Sequence, residues 1–248
     1  MSLASALLLL TVTFFGHAQS NLDPHSQEIT DALVKAHSGW YKLSSPNASI
    51  QAKEVTRQGS VVQYHLFVKG LPTDALYTSY QWPVGTAKPA PVMEGITIGA
   101  DGLLMCAGRK PEQCGDPKKK DDPIEFTFSP AKGEPYRLAF ASSDAQVTTV
   151  IVPDPIEGKD KECTLNVVRL LPKFELAYFS GSGFLASSEV QFDTQSYDEK
   201  HLITIKTGAD GNLRFAILPA VSGHSKGTTS VKVLGKECTP SLKFDWGD

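Results

Sequence analysis

From Trp40 onward, short runs of β-branched and aromatic residues alternate with polar ones and are interrupted by Gly, Pro, Asn or Asp. A period of two marks a strand with one buried and one wet face. Many such runs separated by turn residues predict antiparallel sandwiches or barrels rather than alternating β and α units. Candidate strands fall at 61–68, 75–82, 95–98 and 103–106, then at 124–128, 136–140, 147–152 and 163–168, and finally at 189–192, 202–206, 212–217, 229–233 and 241–246. Between residues 26 and 35 the period changes. Ile29, Leu33 and Val34, with Ser26 as a cap and Glu28 in the first turn, predict one short amphipathic helix. The fold class expected is all-β: two or three antiparallel β-sandwich modules with one short N-terminal helix.

The pattern divides the chain into a leader at 1–20, an N-terminal β module at 21–120, a middle β segment at 121–180 and a C-terminal β module at 181–248. Asp101-Gly102 between two strand-like runs predicts a hairpin with a type I′ turn, because Asp and Gly tolerate positive φ. Gly99-Ala100-Asp101-Gly102 is echoed by Gly208-Ala209-Asp210-Gly211, and a glycine-led turn precedes each, at Gly70 and at Gly183. Such spacing suggests two related modules about 110 residues apart.

Residues 1–20 hold no Lys, Arg, Asp or Glu, and an apolar run over 6–15 leads into Gly16-His17-Ala18, a small-x-small pattern. This reads as a signal peptide, so the mature chain is expected to start at Asn21 and to be secreted or periplasmic. The apolar run is about ten residues, half of what a membrane-spanning helix needs, and no transmembrane segment is expected elsewhere. The alternative reading is a buried N-terminal strand or helix.

Charge adds one exclusion. The 24 basic and 27 acidic residues give a net charge of −3, with no basic domain to displace counterions from nucleic acid, so nucleic acid is not an expected partner. The four cysteines, Cys106, Cys114, Cys163 and Cys238, form an even set, which in an exported chain reads as two disulfides. Gly108 and Pro111 suit a tight loop joining Cys106 to Cys114, which leaves Cys163 with Cys238. A zinc site is the competing use, but no C-x-x-C knuckle or matching His is present. The charge block Lys118-Lys119-Lys120-Asp121-Asp122 reads as a solvated loop.

No motif points to catalysis. Ser182, between Gly181 and Gly183, lacks the nucleophile-elbow pattern and a following helix. His25, His37, His65, His201 and His224 are dispersed, and only the fold could bring His65 and His201 near an acid. Glu125, Glu134, Asp193 and Glu199 are available as carboxylates but unmarked by any motif. Asp101-Gly102 and Asp210-Gly211 lack the alternating oxygen ligands of a calcium loop, so no metal or cofactor is expected. Asn47-Ala48-Ser49 is a glycosylation sequon relevant only in a eukaryotic secretory pathway. Trp40, Tyr41, Tyr77, Tyr80 and Trp82 form the chain's aromatic concentration. Tyr80 and Trp82 share one strand face, which is either core or, where exposed, a binding face of the kind that stacks on sugars or anchors proteins. They are the candidate binding residues.

The last 70 or so residues carry Gly181-Ser182-Gly183-Phe184, Val190-Gln191-Phe192, Asp210-Gly211, Pro219, Gly223, Gly227-Thr228-Thr229 and Val231-Lys232-Val233. In these turn glycines and alternating strands the C-terminal part resembles bacterial immunoglobulin-like modules of the IPT/TIG type. The resemblance implies a sandwich that acts as a spacer, adhesive unit or partner-binding unit without catalytic residues. Cys238 and Trp246-Gly247 depart from the usual pattern. The function expected is therefore an exported, non-catalytic module that binds a macromolecule, either a protein or a cell-surface glycan. The alternatives are a small hydrolase or carbohydrate-active enzyme on a sandwich scaffold, and a structural spacer.

Overall fold

The computed structural model describes residues 24–83, 88–106, 123–171 and 176–247. The leader, Cys114 and the charge block at 118–122 lie outside them. The protein is all-β apart from helix α1 (Pro24–Trp40) and a short 3-10 turn at Tyr41–Leu43. Its strands are β1 (Ser49–Gln58), β2 (Val61–Lys69), β3 (Tyr77–Trp82), β4 (Ala90–Ile98), β5 (Leu104–Cys106), β6 (Phe126–Phe128), β7 (Tyr136–Ala141) and β8 (Gln146–Ile151). They continue with β9 (Ile156–Asp160), β10 (Cys163–Leu171), β11 (Leu176–Ser182), β12 (Glu189–Ser196), β13 (Glu199–Lys206), β14 (Leu213–Ile217), β15 (Lys226–Leu234) and β16 (Ser241–Gly247).

Four antiparallel sheets pack as two sandwiches. Sheet A (β1-β2-β6) faces sheet B (β5-β4-β3-β7-β8), and sheet C (β14-β11-β10-β9) faces sheet D (β13-β12-β15-β16). Alternate residues of each strand point inward, as the pleat requires. Val62, Tyr64, Leu66 and Val68 of β2 meet Tyr77, Ile96, Leu138 and Phe140 in the first core. Leu165, Val167 and Phe179 meet Phe192, Val231, Val233 and Phe244 in the second. The strands that follow Pro123 divide between the two: β6 to β8 belong to the first core, β9 to β11 to the second.

One pairing scheme underlies both sandwiches. The order β1-β2-β6 is matched by β10-β11-β14, and β4-β3-β7-β8 by β13-β12-β15-β16; β5 and β9 are additions at sheet edges. The echoed sequences occupy equivalent turns. Gly99 N–H donates to the Leu103 carbonyl at 2.8 Å and Gly208 N–H to that of Asn212 at 2.7 Å. The side chains of Asp101 and Asp210 accept the N–H two residues on, each at 3.0 Å. In the first turn only Gly102 has positive φ, so the type I′ turn does not form; the Asp101 carboxylate supplies the local hydrogen bond instead. Gly70 and Gly183, both with positive φ, end the second strand of each scheme, where a Cβ would meet the carbonyl oxygens of Asn47 and Glu162.

The segment ahead of each first strand lies along the last. Ser45 N–H donates to the Gln146 carbonyl at 2.8 Å, and Thr148 N–H donates to Ser44 Oγ at 3.0 Å, which covers the free edge of β8. In the second sandwich β9 does the same for β16. Gly158 passes so close to Ser241 that a Cβ would meet its carbonyl oxygen, and Thr239 N–H donates to the Asp160 carboxylate at 2.6 Å.

Helix α1 joins the sandwiches and runs five residues beyond the predicted Lys35. Val34, His37 and Trp40, spaced by three, are buried on one face. Leu33 and Val34 pack with Leu170, Leu176, Tyr178 and Ala216 on the outer face of sheet C. Trp40 sits on the outer face of sheet B, its Nε1–H donating to the Leu138 and Thr149 carbonyls at 3.2 and 3.0 Å. The β6–β7 loop adds a second tie, since Gly133 N–H donates to the Asp154 carbonyl and Arg169 N–H to that of Gly133.

Cys163 is bonded to Cys238, as the pairing by sequence expects, and both lie buried in the second core. Cys106 is also disulfide-bonded.

Candidate functional site

Tyr77 points into the first core, whereas Tyr80 and Trp82 share the outer face of sheet B. Both are half-buried. Trp82 is covered by the helix: its ring lies 5.2 Å from that of Trp40, and the Arg137 guanidinium carbon is 4.4 Å from its centre. Register explains the contact, because Trp82 is opposite Arg137 on β7.

Arg137 is 1% exposed, and it has no carboxylate partner among the described residues. Its Nη2 donates to the Pro83 carbonyl at 3.4 Å, while Nε and Nη1 are buried with no hydrogen-bond partner among the described residues. Desolvation lowers its pKa to about 10. His37 lies against Tyr178, ring centroids 5.0 Å apart and edge-on. Burial, and secondarily the Arg137 charge, lower its pKa to about 4, so the ring is neutral at pH 7. The cluster of Val34, His37, Trp40, Trp82, Arg137 and Tyr178 therefore holds α1 against both sandwiches, with Trp82 engaged by Trp40 and Arg137 and still half-buried.

The outer face of sheet D is different. Among the described residues no helix covers it, and register lays its side chains out in rungs. Lys200, Gln195, Ser230 and Lys243 form one rung, and Leu202, Asp193, Lys232 and Ser241 form the next. The inward neighbours Phe192, Thr194, Val231, Leu242 and Phe244 are buried, so these polar residues are held outward by the pleat. Ser230 and Ser241 are short while Gln195, Lys200, Lys232 and Lys243 are long. The difference leaves an open depression of about 430 Å³ at Ser230 and Ser241, lined also by Lys200, Lys232, Lys243, Gln195 and Asp193 and by the aliphatic Val231 and Leu242. The Lys200 ammonium is 3.5 Å from the Asp193 carboxylate. Lys232 and Lys243 have no ion-pair partner among the described residues.

A depression of this volume falls in the size range of small-ligand sites, which are usually lined by apolar and aromatic groups. This one adds ammonium, amide, hydroxyl and carboxylate groups to the aliphatic Val231 and Leu242, and none of its lining residues is aromatic. Its chemistry is hydrogen bonding and charge, suited to a hydroxylated or anionic ligand in contact with water.

The remaining sequence candidates stay apart. His65 on β2 lies 4.0 Å from Glu125, and His201 on β13 lies 3.5 Å from Glu199, in different sandwiches. The Ser182 hydroxyl hydrogen-bonds Thr164 Oγ1 at 2.8 Å. Among the described residues no three His, Cys, Asp or Glu side chains are grouped to hold a metal ion, and no helix is long and apolar enough to cross a membrane.

No protein-family model matches the chain, and no curated protein matches it.

No motif marks any residue lining the depression, and of them only Asp193 is among the candidate site residues. Their only sequence signal is polar or charged residues at alternate positions of β12, β15 and β16, which also describes any wet sheet face.

Proposed function

We propose that this is an exported, non-catalytic binding protein whose ligand face is the outer surface of sheet D. The observation that carries the reading is the open, lysine-rimmed depression over Ser230 and Ser241 on the one sheet of the second sandwich that α1 leaves uncovered. The apolar leader-like run at 6–15 and the buried Cys163–Cys238 bridge support export, because such bridges persist in oxidising compartments. The first sandwich, α1 and the disulfide serve to fix the second sandwich as a rigid platform.

The test uses the chain from Asn21 to Asp248 with its disulfides formed, applied to immobilised cell-wall polysaccharide from the host. Saturable retention that is lost when Ser230→Trp fills the depression supports the reading. No retention, or retention equal in wild type and Ser230→Trp, overturns it and turns the search to enzymatic turnover.

A further inference from the structure

Three lysines and one aspartate line the depression, giving it a local charge of +2 on a chain whose net charge is −3. Lys200 is engaged by Asp193. Lys232 and Lys243 are exposed and have no ion-pair partner among the described residues. Strands stand about 4.8 Å apart, so the Cα atoms of Lys200 on β13 and Lys243 on β16 are separated by about 14 Å. Positive charge thus lies on three of the four strands, β13, β15 and β16, rather than gathered at one point, with Lys232 one rung away and the acidic Asp193 on β12. Between the lysines lie the Ser230 and Ser241 hydroxyls and the Gln195 amide, which offer both donors and acceptors.

Building on the reading of sheet D as the ligand face, we propose that the depression takes an acidic polysaccharide, a chain of sugar units bearing carboxylates, laid across the strands. Ammonium groups meet the carboxylates in charge-assisted hydrogen bonds, and the serine and glutamine groups meet sugar hydroxyls. A nucleic-acid strand is less well served, because its bases stack on aromatic side chains and the lining has none. An acidic peptide would want a deep pocket for an aromatic or large apolar anchor, and here Val231 and Leu242 are themselves buried in the second core beneath an open depression.

The experiment is affinity electrophoresis of the whole mature chain in gels containing polygalacturonate, dextran, polyglutamate or no polymer. The proteins compared are wild type, the double variant Lys232→Gln/Lys243→Gln, and the control Lys53→Gln/Lys69→Gln, whose exposed lysines lie on the first sandwich. Expected is retardation of wild type by polygalacturonate alone, a loss of at least tenfold in apparent affinity for the sheet D double variant, and none for the control. Equal retardation by dextran overturns the acidic class while leaving sheet D as a glycan face. Equal retardation by polyglutamate overturns the glycan, and an equal loss in the control reduces the effect to net charge. No retardation by polygalacturonate also overturns the inference; retention on host polysaccharide then decides separately whether the ligand-face reading survives.

Discussion

Arg137 and Trp82 face each other across β7 and β3, the guanidinium carbon 4.4 Å from the indole centre, yet Nε and Nη1 of the same arginine have no hydrogen-bond partner among the described residues. The ring supplies part of what a carboxylate would otherwise supply. A cation over an aromatic face is worth about 2 kcal/mol when desolvated, whereas burying a charge costs several kcal/mol.

Arg137→Met therefore raises stability, because it keeps the length of the side chain and removes the buried charge. The expected gain is about 1–2 kcal/mol in urea unfolding at pH 7. Trp82→Ala goes the other way, costing about 3–5 kcal/mol through the cavity it leaves and the exposed cation above it. A loss of stability in Arg137→Met would show that the arginine is a net contributor.

The neutral state of His37 makes stability depend on pH. Its folded pKa, about 4, lies below the ordinary value of 6.5, so the unfolded chain takes up a proton first as pH falls. The stabilisation is complete above pH 6.5 and is lost as pH drops towards 4, a change of about 3 kcal/mol across the window. His37→Gln flattens this stretch of the stability profile. Chemical denaturation at half-unit intervals between pH 4 and 7 measures the difference.

Trp40→Phe retains an aromatic ring on sheet B and removes the donor shared by the Leu138 and Thr149 carbonyls. The expected cost is about 1–2 kcal/mol, with faster hydrogen exchange in α1 than in either sandwich. Uniformly faster exchange throughout the molecule would mean that the helix and the sandwiches open as one unit.

Removing the bridge with Cys163→Ala and Cys238→Ala releases a loop with a sequence separation of 75 residues. The chain-entropy model puts the cost at about 4 kcal/mol. Thermal unfolding of the double variant should show the second sandwich melting first.

Much of the architecture is written in the alternation of the sequence, and the strands it failed to announce have identifiable reasons. β1 is exposed along nearly its whole length, so it has no apolar face to betray it. β9 is five residues long and carries a glycine and three charged residues. β11 is buried on both sides, by the second core beneath Phe179 and by α1 over Tyr178, so Leu176 to Phe179 reads as one apolar run without alternation. The helix extension was hidden because Ser38 and Gly39 interrupt the spacing of His37 and Trp40. The site was less legible still. Ser230, Lys232, Ser241 and Lys243 become neighbours only through the β15–β16 register, and the depression depends on their relative lengths, which no spacing along the chain records.

The covering of each last strand by the segment ahead of each first strand sets the timing of folding. Trp40 is hydrogen-bonded to residues 98 and 109 positions later, and Asp160 to one 79 later. Contacts this distant in sequence slow the search for the native state. Each sandwich must wait for its own final strand, so in a chain emerging from its N-terminus the first can close once β8 is free, while β10 to β15 wait for β16 and the two cores form one after the other.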